Sequence, residues 1–241
     1  MSEPRVGHIL VAVDFGETSA AAVQLAGELA RHFGATLTAV HAETLDAPPY
    51  FTSEQIEALE GERRRARAAA ARFLLGFVTA HTPVTAGVRI EDGPPAEAIV
   101  RASDGVDLVV MGTHGYRGAR RWWLGSVAER VVRTSRVPVI VTRAAAGQAA
   151  GSWRVLVLSP AGHPAEAWAR LFGSRLDAAV ERVMGPAVCE PARLDEVDLV
   201  VVAMAQGESD RHFAPDLVTL LQRCHRPVLF VPDGRAGSSS A

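Results

Sequence analysis

The sequence predicts an α/β protein whose parallel sheet is covered by helices on both faces, laid out twice along the chain. Three observations carry that reading. Apolar runs of strand length alternate with stretches of helical periodicity. Several runs, such as Val106-Asp107-Leu108-Val109-Val110-Met111, are almost wholly apolar, the pattern of strands buried on both sides. The late part of the chain also repeats the early part. Val197-Asp198-Leu199-Val200-Val201-Val202 matches the run just quoted, and Arg226-Pro227-Val228-Leu229-Phe230-Val231 matches Val137-Pro138-Val139-Ile140-Val141, so an internal duplication is the simplest account.

The elements follow in order. His8 to Asp14 reads as the first strand, ending in an acid. Ser19 to Phe33 places Ala22, Val23, Ala26, Leu29, Ala30 and Phe33 on one helix face, with Thr18 or Ser19 as N-cap and Gly34 as the stop. Thr36 to His41 is the second strand, followed by a polar loop, Thr44 to Thr52. A long helix runs from about Ser53 to Ala80 and opens on a possible capping box, Thr52-x-x-Gln55. Its Arg63-Arg64-Arg65 run is interleaved with Glu57, Glu60 and Glu62, which favours a solvated helix face over nucleic-acid binding. Val84 to Glu91 is the third strand, and Asp92-Gly93-Pro94-Pro95 turns into a short helix through Arg101. Val106 to Met111 is the fourth strand, Leu124 to Ser135 a helix with Glu129 and Arg133 paired, and Val137 to Val141 the fifth strand. Ala144 to Ser152 is low in complexity and reads as a linker. Beyond it, Arg154 to Leu158 resembles the first strand, but the Val-Asp-Leu strand then arrives after less than half the residues it takes in the first copy. The second strand and the long helix are lost or shrunken there. Gly234 to Ala241 reads as a disordered tail. The expected units are therefore residues 1–143, a linker at 144–152, a degenerate copy at 153–233 and the tail at 234–241.

Composition excludes several functions. The chain has 241 residues, 48% apolar and 22% charged, with net charge −2, which gives no global field to draw in DNA or an acidic membrane. Every basic side chain is arginine; the absence of lysine rules out a Walker A lysine, a kinase strand lysine and Schiff-base chemistry. Cys189 and Cys224 lie in apolar surroundings and fit core packing in a reducing, cytoplasmic compartment. The histidines lack metal-ligand spacing, and no Ser-His-Asp or paired-carboxylate signature is present.

Gly112-Thr113-His114-Gly115, a nine-residue loop and Gly125-Ser126 carry the chemistry. A buried strand, a glycine-punctuated loop and a helix start in that order suit a phosphate. Glycines permit positive φ and close approach, and the unpaired N–H groups of the first helical turn attract an anion. Ser126 can cap that helix or donate to a phosphate oxygen, and Asp14 can cap the first helix as well as meet a ligand. His114 has no partner carboxylate and is read as a loop residue near phosphate. Arg117, Arg120 and Arg121 can clamp phosphates or face water, while Trp122-Trp123 is read as packing or a partner surface.

Val11-Ala12-Val13-Asp14, Val40-His41, Gly93-x-Pro95, Met111 to Gly115, Gly125-Ser126-Val127 and Val137-Pro138-Val139, in this order, closely resemble the ATP-binding branch of the universal stress protein family. The resemblance implies a doubly wound sheet of strand order 3-2-1-4-5 with ligand at the carboxyl ends of strands 1 and 4. It places Ala12, Val13 and Asp14 beside the adenosine, the backbone at Ala42 on adenine, and Met111, Gly112 and Thr113 under the ribose and α-phosphate. Gly115, Gly125, Ser126 and Val127 would hold the β- and γ-phosphates, with Mg²⁺ on the polyphosphate. The second copy puts Ala203 and Gln206 where Gly112 and Gly115 stand, Ala214-Pro215 near the Gly125-Ser126 match, and Ser159 or Pro160 in place of the acid, so no nucleotide is expected there. The implied protein is an ATP-dependent regulator in a stress response with an unidentified protein partner, no nucleic acid and no membrane. Pairing through the last strands, Val137 to Val141 and Val228 to Val231, would form a homodimer or an intramolecular pseudo-dimer. A slow ATPase and a scaffold with an empty pocket are the rival readings.

Overall fold

The computed structural model describes residues 3–44, 53–113, 124–143, 153–183, 194, 196–204 and 215–233, without the side chains of 53–58 and 215–216. The chain folds as β1 (His8–Ala12), α1 (Glu17–Phe33), β2 (Thr36–Glu43), α2 (Ser53–His81), β3 (Ala86–Asp92), α3 (Pro95–Ala102), β4 (Leu108–Gly112), α4 (Ser126–Thr134) and β5 (Val139–Thr142). The second half contributes β6 (Arg154–Leu158), α5 (Pro164–Leu176), β7 (Ala179–Arg182), β8 (Leu199–Met204), a helix Pro215–Arg223, here α6, and β9 (Val228–Pro232). Thr52 and the side chain of Gln55, the two capping-box residues, the linker and the tail lie outside what is described. Among the described residues no helix is long and apolar enough to cross a membrane.

Among the described residues all strands join one nine-stranded sheet of order β3-β2-β1-β4-β5-β9-β8-β6-β7. The first half therefore has the order 3-2-1-4-5, and the second is a shortened copy of it. Every pairing is parallel except β5 with β9, where Val139, Ile140 and Val141 lie opposite Phe230, Leu229 and Val228. These are the two segments that the sequence marks as edges, and within this chain they pair with each other.

Alternation explains why the strands read as unbroken apolar runs. Ile9, Val11, Leu108, Val110, Ile140, Val201 and Leu229 face a core shared with α1, α2 and α5. Leu10, Ala12, Val109, Met111, Val139, Val141, Val200 and Phe230 face a second core under α3, α4 and α6. Each core draws residues from both halves. At the seam, Phe33 of α1 meets the fully buried Phe172 of α5 edge-on at 5.1 Å between ring centroids.

The repeated Val-Asp-Leu run has a physical cause. Asp107 Oδ2 accepts the backbone N–H groups of Gly7 at 2.7 Å and His8 at 2.9 Å, tying the start of β1 to β4. Asp198 Oδ2 accepts from Arg154 N–H at 2.8 Å, the same tie in the second half. Asp107→Ala should therefore destabilise by about 1–2 kcal/mol and Asp198→Ala by less, read as shifts in the urea midpoint; equal effects would contradict this accounting.

Several expected boundaries move. β1 stops at Ala12, leaving Asp14 in the following turn. Helix α1 is capped by Gly16, not by Thr18 or Ser19, and closes on Gly34 in the left-handed region as expected. The Arg63-Arg64-Arg65 run lies on a solvated face as expected, Arg64 and Arg65 being exposed, while the part-exposed Arg63 and Arg67 lie 4.0 and 3.0 Å from Asp92 and join α2 to the end of β3. Glu129 and Arg133 pair as expected, at 3.8 Å. In the second half the second strand survives as the four exposed residues of β7. Cys224 is buried, its Sγ–H directed at Arg226 O at 3.6 Å, whereas Cys189 lies outside the described residues.

Candidate functional site

The order 3-2-1-4-5 reverses between β1 and β4, so a crevice opens beyond their carboxyl ends. Register fixes its floor: Ala12 lies opposite Met111, the last matched pair of the two strands. Val13 continues one residue further, donating its N–H to Val40 O at 2.9 Å. Beyond Val40, β2 pairs only with β3, with Ala42 opposite Glu91, so the edge of β2 at Ala42 that faces the crevice has no strand partner.

One wall is the β1–α1 turn. Asp14 Oδ1 accepts the Gly16 N–H at 2.9 Å and the Ser19 hydroxyl, while Asp14 N–H donates to Ser19 Oγ at 3.0 Å. Ser19 is buried, so this reciprocal pair closes the turn on itself. Asp14 is thus an anchor within the turn rather than the N-cap of α1.

Helix α4 links the parallel strands β4 and β5, so it starts on the rim formed by their carboxyl ends. Gly125 is the N-cap, with φ −62° and ψ 156°, and among the described residues no side chain caps the helix. Its first backbone bond runs from Glu129 N–H to Gly125 O at 2.9 Å. The N–H groups of Ser126, Val127 and Ala128 precede that bond and have no acceptor within the helix. Of the two readings open for Ser126, capping is closed: it is the exposed first helical residue.

Gly112 serves close approach, not positive φ. Neither Gly112 nor Gly125 is left-handed. A Cβ built on Gly112 would stand 2.6 Å from both the carbonyl carbon and oxygen of Thr18. Gly112 is therefore what lets the first turn of α1 lie against β4. Thr113 N–H donates to Thr142 O at 2.9 Å, so sheet pairing takes that amide, and the side chain is buried. His114, Gly115, Arg117, Arg120, Arg121, Trp122 and Trp123 lie outside the described residues.

Sequence reasoning missed Phe15, and it marked His41 only as the end of the second strand. His41 Nδ1–H donates to Val13 O at 2.7 Å, and its ring packs on Phe15 at 4.5 Å. An aromatic residue directly after the strand-1 acid was the available signal, but its backbone conformation leaves no mark in a sequence. At the far end of β5, Arg143 Nη1 contacts His225 Nδ1 of the second half at 3.3 Å. Burial lowers the Arg143 guanidinium from its ordinary pKa, partly opposed by Cys224. Among the described residues no group of three or more His, Cys, Asp or Glu side chains could hold a metal ion.

At the carboxyl ends of β6, β7 and β8 side chains of the second half bond to one another and to the backbone. His163 caps α5, accepting Ala165 N–H at Nδ1 (3.1 Å), and its Nε2 reaches Met204 O at 3.4 Å, across from α5 to the end of β8. Arg182 pairs with Glu166 at 2.9 Å and donates to Ser159 O at 3.2 Å. Ala203 lies in β8 where Gly112 stands in β4, while Gln206 and Ala214 lie outside the described residues.

The strand order and the alternation of strand and helix define a doubly wound α/β fold with its switch point between β1 and β4. Residues 6–143 match the universal stress protein family, and the chain belongs to that family. A universal stress protein of Mycobacterium tuberculosis is 32% identical over 146 residues, which cover 58% of this chain and 47% of that protein. One from Thermus aquaticus is 34% identical over 144 residues, covering 56% of this chain and 97% of that protein. The chain thus spans about half the length of the mycobacterial relatives that it matches. In fold, a universal stress protein of Archaeoglobus fulgidus superposes with a TM-score of 0.64 at 16% identity, over 97% of this chain and 98% of that one.

Proposed function

We propose that the first half, residues 1–143, binds an adenine nucleotide, ATP carrying Mg²⁺ on its phosphates, and that the chain acts as a nucleotide-dependent cytoplasmic regulator. The observation that carries this is the start of α4: three successive N–H groups without intrahelical acceptors, on the rim formed by the carboxyl ends of β4 and β5. Such a terminus suits a polyphosphate through both its donors and its dipole. In this reading Gly125, Ser126 and Val127 take the β- and γ-phosphates, together with His114 and Gly115. Ala12, Val13 and Asp14 border the adenosine, the unpaired edge at Ala42 meets adenine, and Met111 and Gly112 underlie the ribose. Thr113 lies beside them toward the α-phosphate, with its amide bonded to Thr142 O and its side chain buried. Residues 153–233 form the degenerate unit, without a nucleotide of their own.

Ser126→Pro tests this directly. Proline is tolerated at the first helical position, and Gly125 already has the extended conformation that a following proline requires. The substitution removes one N–H and nothing else from the backbone. Calorimetric titration should show ATP binding weakened by about 1.5–3 kcal/mol, roughly ten- to hundredfold, with Tm unchanged. Titration with AMP and GTP ranks phosphate and base. Freshly purified protein with no co-purified adenine nucleotide, and no ATP-induced rise in Tm, would refute the reading.

A further inference from the structure

The β1–α1 turn holds a feature that phosphate binding does not use. Phe15 has φ 65°, in the left-handed region, where a bulky aromatic residue is an outlier. Among the described residues only Asp177, at the end of α5, is likewise left-handed without being glycine. Such a conformation persists only where its surroundings over-determine it.

Here the surroundings are rings. Phe15 lies 4.5 Å from His41 of β2, 4.8 Å from Phe73 of α2 and 5.5 Å from Phe77 of α2, the last two edge-on. His41 is itself tied to Val13 O, two residues before Phe15, and Phe77 packs on His81 at 4.5 Å. Aromatic pairs of this geometry are together of the size needed to offset a left-handed backbone. Immediately before Phe15, Asp14 is bonded to Gly16 and to Ser19 of α1. The turn is therefore gripped by α2 at Phe15 and by α1 at Asp14. Phe73 is 63% exposed, so the α2 side of the grip reaches the protein surface.

We propose that Phe15 is a positioning residue: the clamp formed on it by His41, Phe73 and Phe77 fixes the left-handed turn that presents Asp14 at the crevice, so the packing of α2 sets nucleotide affinity. The affinity part rests on the nucleotide reading above; the clamp itself does not.

Four variants of the full chain test it by two measurements. Phe15→Gly keeps the backbone conformation without the ring, Phe73→Ala opens the clamp from outside, Phe73→Tyr retains the ring, and Phe172→Leu weakens the core far from the turn. Amide exchange at Gly16 reports its bond to Asp14, and calorimetry reports ATP affinity. Phe15→Gly and Phe73→Ala should speed Gly16 exchange and weaken ATP by about tenfold. Phe73→Tyr should resemble wild type, and Phe172→Leu should lower Tm while leaving both measurements unchanged. Unchanged Gly16 exchange in Phe15→Gly, or an equal loss in Phe172→Leu, overturns the clamp. If wild type takes up no ATP, the nucleotide reading falls by itself, and Gly16 exchange still decides the clamp.

Discussion

Phe172→Ala is expected to cost about 3–5 kcal/mol and to lower Tm by about 10 °C, the largest loss at any single position considered. Phe172 is fully buried and packs on Phe33 of α1 and Trp168 of its own helix, at 5.1 and 6.3 Å between ring centroids. Truncation leaves a cavity between a helix of the first half and one of the second. Because each core draws on both halves, the loss should appear as one shifted transition. Thermal unfolding followed by tryptophan fluorescence and by amide exchange in β1 checks this. Two separated transitions, with β1 protection intact in the first, would mean that the halves fold independently.

Gly112→Ala should follow, at about 1–3 kcal/mol. Its new methyl group would meet the backbone of Thr18, which cannot rotate away, so the start of α1 must shift off β4. Ala203→Gly, the reverse change at the matching position, should cost only about 0.5–1 kcal/mol. The asymmetry has a structural source. Both helices end on a left-handed residue, Gly34 in α1 and Asp177 in α5, yet α1 has 17 residues and α5 has 13. Counted back from those ends, the turn bearing Thr18 precedes the start of α5, so nothing there demands a glycine. Urea titration of both variants tests the pair. A nucleotide defect in Gly112→Ala would then combine a displaced Asp14–Ser19 turn with the change under the ribose.

The strands were legible in the sequence because both of their faces are buried, leaving apolar runs with few interruptions. β7 was not, since Ala179, Val180, Glu181 and Arg182 are all exposed and carry no pattern. The duplication was legible through Asp107 and Asp198, because a carboxylate that ties two strands together leaves a fixed residue beside a repeated run. Helix starts were misplaced where glycine is the cap: Gly16 and Gly125 bring no side chain to signal it, while Thr18, Ser19 and Ser126 resemble caps and are not. The motif glycines suggested the crevice, but their physical work differs from expectation. Gly112 makes room for Thr18, and the commitment of the Thr113 amide depends on the register of β5, which no local pattern encodes. The ring contacts around Phe15 join residues far apart in the chain and became visible only in three dimensions.

The single antiparallel pairing, β5 against β9, reverses the polarity of the sheet at its middle. The carboxyl ends of β1 and β4 therefore lie along one rim, and those of β6 and β8 along the opposite rim, about one strand length, roughly 15 Å, away. A macromolecule seated over the first crevice finds the amino-terminal start of β9 as its neighbour, where Arg143 meets His225, and not the Arg182–Glu166 pair. Simultaneous engagement of both rims would require a visitor that wraps around the domain, so the two halves present themselves to the cell as separate surfaces pointing in contrary directions.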